Sequence, residues 1–294
     1  MNFGRVVTAM VTPFDNSGNI DFAKTTKLVE YLIYHGTDAI VVGGTTGESP
    51  TLTREEKIAL FQHVVKTVNR RIPVIAGTGG NDTKAAVELT KKAEEIGVDA
   101  IMLVAPYYNK PTQNGLYEHF KTIAGQTKLP IMIYNIPGRT AVNILPETLI
   151  RLSRIPNIVA VKEASGNLSQ MSEIIAGTPE DFSLYSGDDS LTLPVLSIGG
   201  KGVVSVASHV VGDEMQKMIG AFMDGNVQEA ARWHQKLFPL MKGLFMTTNP
   251  APVKTALQLI GLDVGPVRLP LVSLNEAERN ELYSIIRLVK EGIA

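Results

Sequence analysis

Short runs of β-branched and other apolar residues recur along most of the chain, and they commonly end at Gly, Pro or Thr. Each run leads into a longer segment whose apolar residues return at the spacing of a helix. This alternation predicts strands that are each followed by a helix. The predicted strands cover residues 6–12, 39–42, 73–76, 100–105, 131–134, 158–161, 182–185 and 202–206.

Polar residues mark where several of the predicted helices begin and end. Thr53 followed by Glu56 is typical of a capping box, in which both side chains satisfy backbone N–H groups. Asp82 indicates the start of the next helix, Gly97 its end in a left-handed residue, and Asn167 the start of a later helix. The helix after Thr53 has the apolar stripe Leu60, Val64, Val65 and Val68, and the helix after Asp82 has the stripe Ala85, Leu89, Ala93 and Ile96.

Eight strand–helix units of about 30 residues form either a closed barrel or a long doubly wound sheet. A doubly wound nucleotide-binding fold has a G-x-G-x-x-G turn after its first strand, whereas this strand ends in Thr12-Pro13-Phe14. The glycine clusters at residues 43–47 and 77–80 match no phosphate-binding spacing and are interpreted as tight turns. The sequence therefore predicts an α/β fold, a (β/α)8 TIM barrel.

The strand pattern stops after about residue 225, and residues 226–294 have only helical spacing. We expect a catalytic barrel over residues 1–225 and a C-terminal helical extension over residues 226–294. The extension has enough apolar side chains to cover either the barrel or a second subunit.

Composition excludes several classes of function. Lys and Arg number 28 against 29 Asp and Glu, a net charge of −1, so nucleic acid and an anionic membrane are not expected partners. Cysteine is absent, which rules out disulfides, thiolate catalysis and cysteine-held metals and fits a cytoplasmic protein. The five histidines lack H-E-x-x-H spacing, and we expect no metal site. No run of 18 apolar residues indicates a membrane span, and no signal core is evident.

Lys162 is the strongest candidate for chemistry. Active sites of (β/α)8 barrels lie at the carboxyl ends of the strands, and Lys162 ends the apolar run 158–161. Burial there would favour the neutral amine, a nucleophile able to condense with a ketone. The alternative is an ordinary lysine that reaches solvent or pairs with Glu163 or Asp188.

Hydroxyl and guanidinium groups follow other strands. Tyr134, Thr45 and Tyr108 could relay protons, although a lone tyrosine is more often a core residue whose hydroxyl reaches solvent. The planar guanidinium group of Arg139 could bind a carboxylate through two hydrogen bonds, or it could form an ordinary surface ion pair. Thr46 and the glycine-rich backbone around it could donate to a second carboxylate.

Three segments together resemble the dihydrodipicolinate synthase family: Gly-Thr-Thr-Gly-Glu-Ser at 44–49, Tyr-Asn-Ile-Pro-Gly-Arg-Thr at 134–140 and Val-Lys-Glu-Ala at 161–164. The resemblance runs nearly end to end. It implies a (β/α)8 barrel with a helical extension that forms a homotetramer from two tight dimers. It also implies that no cofactor is needed.

The resemblance assigns roles to individual residues. Lys162 would form an imine with pyruvate, Tyr134 would relay protons, and Thr45 would link Tyr134 to Tyr108 of the adjoining subunit. Arg139 would receive the carboxylate of L-aspartate 4-semialdehyde, and ring closure would give 4-hydroxy-tetrahydrodipicolinate, a precursor of lysine. The residues implied for the pyruvate pocket are Thr46, Gly187 and Val204.

Two other functions stay open at this point. N-acetylneuraminate and 2-keto-3-deoxy sugar acid aldolases share the Gly-Thr-Thr-Gly, tyrosine and lysine parts, but tend to lack an arginine in the position of Arg139. A barrel without catalysis could bind a keto acid or a partner.

Regulation is the last implication of the resemblance. Relatives inhibited by lysine carry histidines just after Gly-Glu-Ser and a glutamate after the third strand. Here Arg54, Lys57 and Ala85 stand in that region. Because two cations would repel the ammonium groups of lysine, we expect weak or absent feedback inhibition.

Overall fold

The computed structural model describes residues 3–293. In this part of the chain, parallel strands close into a barrel in sequence order, and the last strand pairs with the first. The predicted (β/α)8 barrel is confirmed. The strands are β1 (Val6–Ala9), β2 (Ala39–Val42), β3 (Val74–Gly77), β4 (Ala100–Val104), β5 (Ile131–Asn135), β6 (Ile158–Glu163), β7 (Ser183–Ser186) and β8 (Gly202–Ser205).

Helices connect the strands around the outside of the barrel, and further helices follow β8. The connecting helices are α1 (Phe22–Tyr34), α2 (Arg54–Val68), α3 (Thr83–Ile96), α4 (Gln113–Ala124), α5 (Pro137–Thr140), α6 (Pro146–Leu152), α7 (Leu168–Gly177), α8 (Thr192–Ser197) and α9 (Ser208–Met223). The helices of the C-terminal extension are α10 (Val227–Gly243), α11 (Ala251–Leu259) and α12 (Glu276–Ile293). Among residues 3–293, no helix is long and apolar enough to cross a membrane.

Most predicted strand ends lie within one or two residues of the observed ones, but β1 is shorter than expected. It ends at Ala9 instead of residue 12: the Met10 N–H still donates to the carbonyl of Val41 at 3.0 Å, but the Val11 N–H donates to the His209 side chain at 3.2 Å. The Thr12 hydroxyl donates to the carbonyl of Gly47 at 2.7 Å, which fixes the chain against the loop after β2. At the other extreme, β6 continues to Glu163, so Lys162 lies inside a strand and not just beyond it.

The predicted capping box is present at the start of α2. The Thr53 hydroxyl accepts from the Glu56 N–H at 3.2 Å, and the Glu56 carboxylate accepts from the Thr53 N–H at 2.9 Å. The N-caps Asp82 and Asn167 are also confirmed, and Gly97 has the left-handed φ of 90° expected at a helix end.

One predicted stripe residue is wrong. Ala85 is exposed, and Ala86 takes its place on the buried face of α3. The cap sets the phase of the helix, because the Asp82 side chain accepts from the backbone N–H groups of residues 84 and 85. Ala86, Leu89 and Ala93 then lie three and four residues apart, the spacing of one helix face.

Apolar side chains form one layer inside the barrel and another between strands and helices. Side chains alternate between these layers along a strand. On β6, Ala160 lies in the inner layer and Val161 in the outer one, so Lys162 faces the interior. The inner layer comprises Phe3, Val7, Ala9, Ala39, Val41, Ile75, Ala100, Met102, Met132, Tyr134, Ala160, Tyr185 and Val204.

The C-terminal extension packs on the barrel. Leu237, Leu240, Leu257 and Leu282 are fully buried and belong to the same apolar cluster as the outer layer. Helix α10 lies against α9, the helix that follows β8. Residues 1, 2 and 294, at the ends of the two predicted regions, lie outside the described residues. The extension is thus built into the core of the molecule.

Candidate active site

The amine of Lys162 is held in the mouth of the barrel. The side chain is 5% exposed, and its register partners on β5 and β7 are Tyr134 and Tyr185. Burial lowers the pKa of Lys162 to about 7; the charge of Arg139 acts in the same direction, and the charge of Asp189 opposes it. The neutral, nucleophilic amine is therefore well populated near neutral pH.

Glu163 and Asp188, the carboxylates that could have paired with Lys162, bind other groups. Glu163 points to the other face of β6, where its carboxylate accepts from Asn135 at 2.9 Å and from the N–H of Ser165 at 2.7 Å. The Asp188 carboxylate accepts from the N–H and hydroxyl of Ser190, both at 2.8 Å. Neither carboxylate forms an ion pair with Lys162 within residues 3–293.

Tyr134 is the neighbour of this amine. The Nζ of Lys162 lies 4.1 Å from the centroid of the Tyr134 ring, so the two side chains are in contact. Burial raises the pKa of Tyr134 to about 12, against a hydrogen bond with Thr45 and the charge of Arg139, which lower it. The phenol is therefore protonated at neutral pH and can donate a proton when a cation forms beside it.

A tight turn after β2 presents Thr45 and Thr46 to the barrel mouth. The N–H of Glu48 donates to the carbonyl of Thr45 at 3.0 Å and closes the turn. A Cβ at Gly77 would lie 2.5 Å from the carbonyl oxygen of Gly43, so glycine is required where β3 meets this loop. The cluster at residues 43–47 therefore forms a tight turn, as interpreted, whereas the cluster at 77–80 begins inside β3, where Gly77 lets two backbones approach each other.

Thr46 is buried at 3% exposure, and its hydroxyl accepts a hydrogen bond from the amide of Asn249 at 3.0 Å. Gly187 lies beside the lysine, because a Cβ built on it would be 3.2 Å from the Lys162 Cε. Val204 is 1% exposed in the inner layer of the barrel. A Cβ at position 187 would also lie 2.6 Å from the Cβ of Ala164, so glycine is required for the backbone to pass this close to the lysine side chain.

A cleft of about 350 Å³ opens over the carboxyl ends of β2 to β5. Thr45, Lys57, Tyr134 and Arg139 line it. Arg139 is exposed and projects from α5, directly after β5. Lys162 does not line the cleft; it is buried inside the barrel and contacts the ring of Tyr134, which does line it. The site therefore has an outer part with cations and an inner part with one amine.

Tyr108, one of the predicted catalytic residues, does not line the cleft. It is 89% exposed, with a left-handed φ of 71°, and Tyr107 lines the cleft instead. A non-glycine residue in this conformation costs about 1 kcal/mol, which is common at functional positions.

Two contributors escaped the sequence reasoning. Asp189, which follows β7, is buried and accepts from the backbone N–H groups of Val206 and Ala207 at 3.0 and 2.9 Å. It ties the end of β7 to the end of β8. Asn249 lies 203 residues from Thr46, and no local pattern in the sequence indicates that contact.

A closed (β/α)8 barrel with a desolvated lysine on β6 and phenol and hydroxyl groups beside it defines the class of lysine-dependent barrel enzymes. The model of the dihydrodipicolinate synthetase family matches residues 2–289. The chain belongs to this family.

Relatives in this family are similar over nearly their whole length. The 4-hydroxy-tetrahydrodipicolinate synthase of Bacillus subtilis (strain 168) is 65% identical over 97% of this chain and 99% of its own. A crystal structure of a dihydrodipicolinate synthase from Bacillus anthracis is 62% identical with a TM-score of 0.96, covering 98% of each chain. Another, from Cyanidioschyzon merolae with lysine bound, is 50% identical with a TM-score of 0.96, also over 98% of each chain.

Proposed function

We propose that this chain condenses pyruvate with L-aspartate 4-semialdehyde to 4-hydroxy-tetrahydrodipicolinate, a step of the diaminopimelate and lysine pathway. The desolvated Lys162 amine, whose pKa is about 7, carries this proposal. The curated relatives of 65% and 64% identity are named for the synthase of the same product. No cofactor is needed, because an imine supplies the electron sink.

The reaction begins when the Lys162 nitrogen attacks the keto carbon of pyruvate. Loss of water gives a cationic imine, and loss of a methyl proton then gives an enamine. The enamine carbon attacks the aldehyde carbon of the semialdehyde, whose oxygen takes up a proton. The amino group of the second substrate then adds to the imine carbon and displaces Lys162, which closes the ring.

Tyr134 is placed to move protons in these steps. Its ring contacts the Lys162 amine, and its phenol is protonated in the free enzyme. A cationic imine at that distance would favour the phenolate, so the proton is released as the imine forms. Thr45 would pass it on to Tyr108 of an adjoining subunit, and the high exposure of Tyr108 leaves it accessible to such a partner.

The two substrates carry carboxylates that need different partners. Thr46, Gly187 and Val204 would hold pyruvate, since Thr46 is buried and the backbone of Gly187 passes directly beside the Lys162 side chain. Arg139 would hold the carboxylate of the semialdehyde, because it lines the outer cleft with its guanidinium available. The deeper substrate therefore binds first, and the second closes over it.

The role given to Tyr108 requires an oligomer. We propose a homotetramer built as a dimer of dimers, acting in the cytoplasm. Several large apolar side chains remain exposed on one chain, as expected of a subunit: Leu145, Leu269, Val272, Tyr283 and Leu288. Analytical ultracentrifugation measures the assembly, and a fully active monomer would contradict the role of Tyr108.

Trapping of the imine tests the proposed reaction. Borohydride added with pyruvate should leave a reduced pyruvate adduct on the peptide that contains Lys162, whereas borohydride alone should leave it unmodified. Turnover with pyruvate and aspartate semialdehyde, measured beside cleavage of N-acetylneuraminate, distinguishes the two aldolase functions. No adduct would indicate a barrel that only binds, and faster neuraminate cleavage would indicate a sugar-acid lyase.

Arg139→Ala tests the choice of second substrate. We expect kcat/KM for the semialdehyde to fall by about 10²-fold, because a charge-assisted bidentate hydrogen bond is lost. The adduct with pyruvate should still form. Full activity of Arg139→Ala on the semialdehyde would remove this substrate assignment.

We also propose weak or absent inhibition by lysine. In the structure Arg54 pairs with Glu88 at 3.2 Å, so the repulsion falls mainly to Lys57, which lines the cleft. Ala85 adds no carboxylate. Turnover measured against lysine concentration tests this, and Lys57→Gln should increase any inhibition. Strong inhibition at physiological lysine concentrations would contradict it.

A further inference from the structure

A side chain of the C-terminal extension reaches the loop that carries the pyruvate-binding threonine. The Nδ2 of Asn249 donates to the Oγ1 of Thr46 at 3.0 Å, and the two residues are 5% and 3% exposed. Among residues 3–293, the Thr46 hydroxyl makes no other hydrogen bond. The contact is therefore dry, and it joins the extension to the barrel mouth.

The direction of this bond determines what Thr46 can do. A hydroxyl has one proton to donate and two positions to accept. When the amide of Asn249 donates, the Thr46 proton stays available for another acceptor. If the amide were turned round, its oxygen would take that proton, and Thr46 could no longer donate to a bound carboxylate.

Burial favours the amide orientation that donates to Thr46. In this orientation the Oδ1 of Asn249 is the one buried side-chain atom of the pair without a partner among the described residues. The reverse orientation would place the NH2 group there instead and leave two donors unsatisfied. Leaving buried donors without partners costs about 1–3 kcal/mol each, so the observed orientation is retained.

The backbone around Asn249 is clamped to the same loop. Lys254, in α11, forms a buried ion pair with Glu48 at 2.6 Å. The Nζ of Lys254 also donates to the carbonyl of Pro266 at 2.7 Å. Because Glu48 closes the turn that holds Thr45 and Thr46, the extension grips this loop at two points.

We propose that Asn249 is a positioning residue that keeps the Thr46 hydroxyl proton directed at the carboxylate of the bound keto acid. This inference rests on the proposed function, because it takes Thr46 as the carboxylate donor. Asn249 acts through Thr46 and does not itself touch substrate. The extension therefore contributes to recognition of the first substrate.

Asn249→Asp tests this proposal with almost no change in shape. A carboxylate can only accept, so it captures the Thr46 proton. We expect KM for pyruvate to rise about tenfold or more, with kcat at saturation and KM for the semialdehyde within about threefold of the parent. The increase in KM should shrink as the pH is lowered, because a protonated carboxyl can donate to Thr46 again.

The matched control is Asn157→Asp. The side-chain amide of Asn157 is also a donor, to the carbonyl oxygens of Ala124 and Thr127 at 3.0 and 3.1 Å, but it lies before β6, at the opposite end of the barrel. We expect it to lower the melting temperature and leave KM for pyruvate unchanged. Equal effects of the two substitutions on KM would overturn the proposal.

A double variant separates positioning from general damage. In a Thr46→Val background, Asn249→Asp should change KM for pyruvate by less than about threefold, because the hydroxyl through which it acts is gone. A full tenfold increase in that background would contradict the proposal, as would a parental KM for Asn249→Asp alone. A parent enzyme that traps no pyruvate would instead refute the proposed function, which the same assays detect.

Discussion

Two buried lysines in this chain have opposite surroundings. Lys162 is 5% exposed and Lys254 is 2% exposed, and burial is the main cause that lowers the pKa of both, to about 7 and about 8. Lys254 has Glu48 at 2.6 Å and lies 4.2 Å from the centroid of the Phe14 ring. Lys162 has the Tyr134 ring instead of a carboxylate.

The difference shows that burial alone does not make a lysine reactive. A paired amine keeps its proton and its nitrogen lone pair is engaged, so Lys254 can only hold the extension to the loop after β2. An amine that is desolvated without a carboxylate loses its proton near neutral pH and remains a nucleophile. The cost of burying the charge is thus offset by Glu48 at Lys254, whereas at Lys162 no ion pair offsets it.

The largest expected effect is on activity. Lys162→Met should reduce turnover of pyruvate and aspartate semialdehyde by more than roughly 10³-fold, since no imine can form. The same substitution at the exposed Lys92, paired with Glu95 on α3, should leave turnover unchanged. A steady-state assay measures both, and parental activity of Lys162→Met would remove the assigned role of this residue.

The next effect is on stability. Lys254→Met should lower the free energy of unfolding by about 3–5 kcal/mol, because Glu48 would stay buried without its cation. Lys92→Met is again the control, and its exposed pair should contribute less than about 1 kcal/mol. Chemical denaturation measures the difference. Equal losses for the two variants would show that the buried pair has no special weight.

The smallest effect has the opposite sign. Lys162→Met should raise the free energy of unfolding at neutral pH, because it removes a desolvated amine. Lysine titrates at 10.5 when unfolded and at about 7 in this site. Below about 7 both states hold the proton and the penalty is complete. Between 7 and 10.5 the unfolded chain holds more protons, so stability rises with pH.

Denaturation of parent and Lys162→Met over this pH range checks that sign. The stability difference between them should narrow steadily as the pH rises from about 7 towards 10.5. A stability difference that is constant with pH would show that the Lys162 amine is not desolvated. A stability difference that grows at high pH would show that folding raises the pKa of Lys162 and does not lower it.

Local sequence patterns were sufficient for much of the fold and for part of the site. Thr53, Asp82 and Gly97 mark helix ends because their bonds involve backbone groups within a few residues. Lys162 and Tyr134 could be found because both lie at the carboxyl ends of apolar runs, and these ends meet at one side of a barrel. The roles given to the site residues remain predictions.

Errors arose where distant parts of the chain meet. The end of β1 depends on the bond from Thr12 to the loop after β2, which its own composition does not show. The error at Ala85 is instead local, because the cap at Asp82, three residues earlier, turns Ala86 inward. Asn249 was missed because its partner is 203 residues away.

The order of residues along the chain sets the alternation of strands and helices, the tight turns and the presence of a lysine at a strand end, since these depend on neighbours. Only the folded chain establishes that this lysine forms no ion pair among the described residues while Lys254 is paired with Glu48. It also establishes that the extension holds Thr46. Closing the barrel brings remote segments together and excludes water, and the pKa values follow from that desolvation.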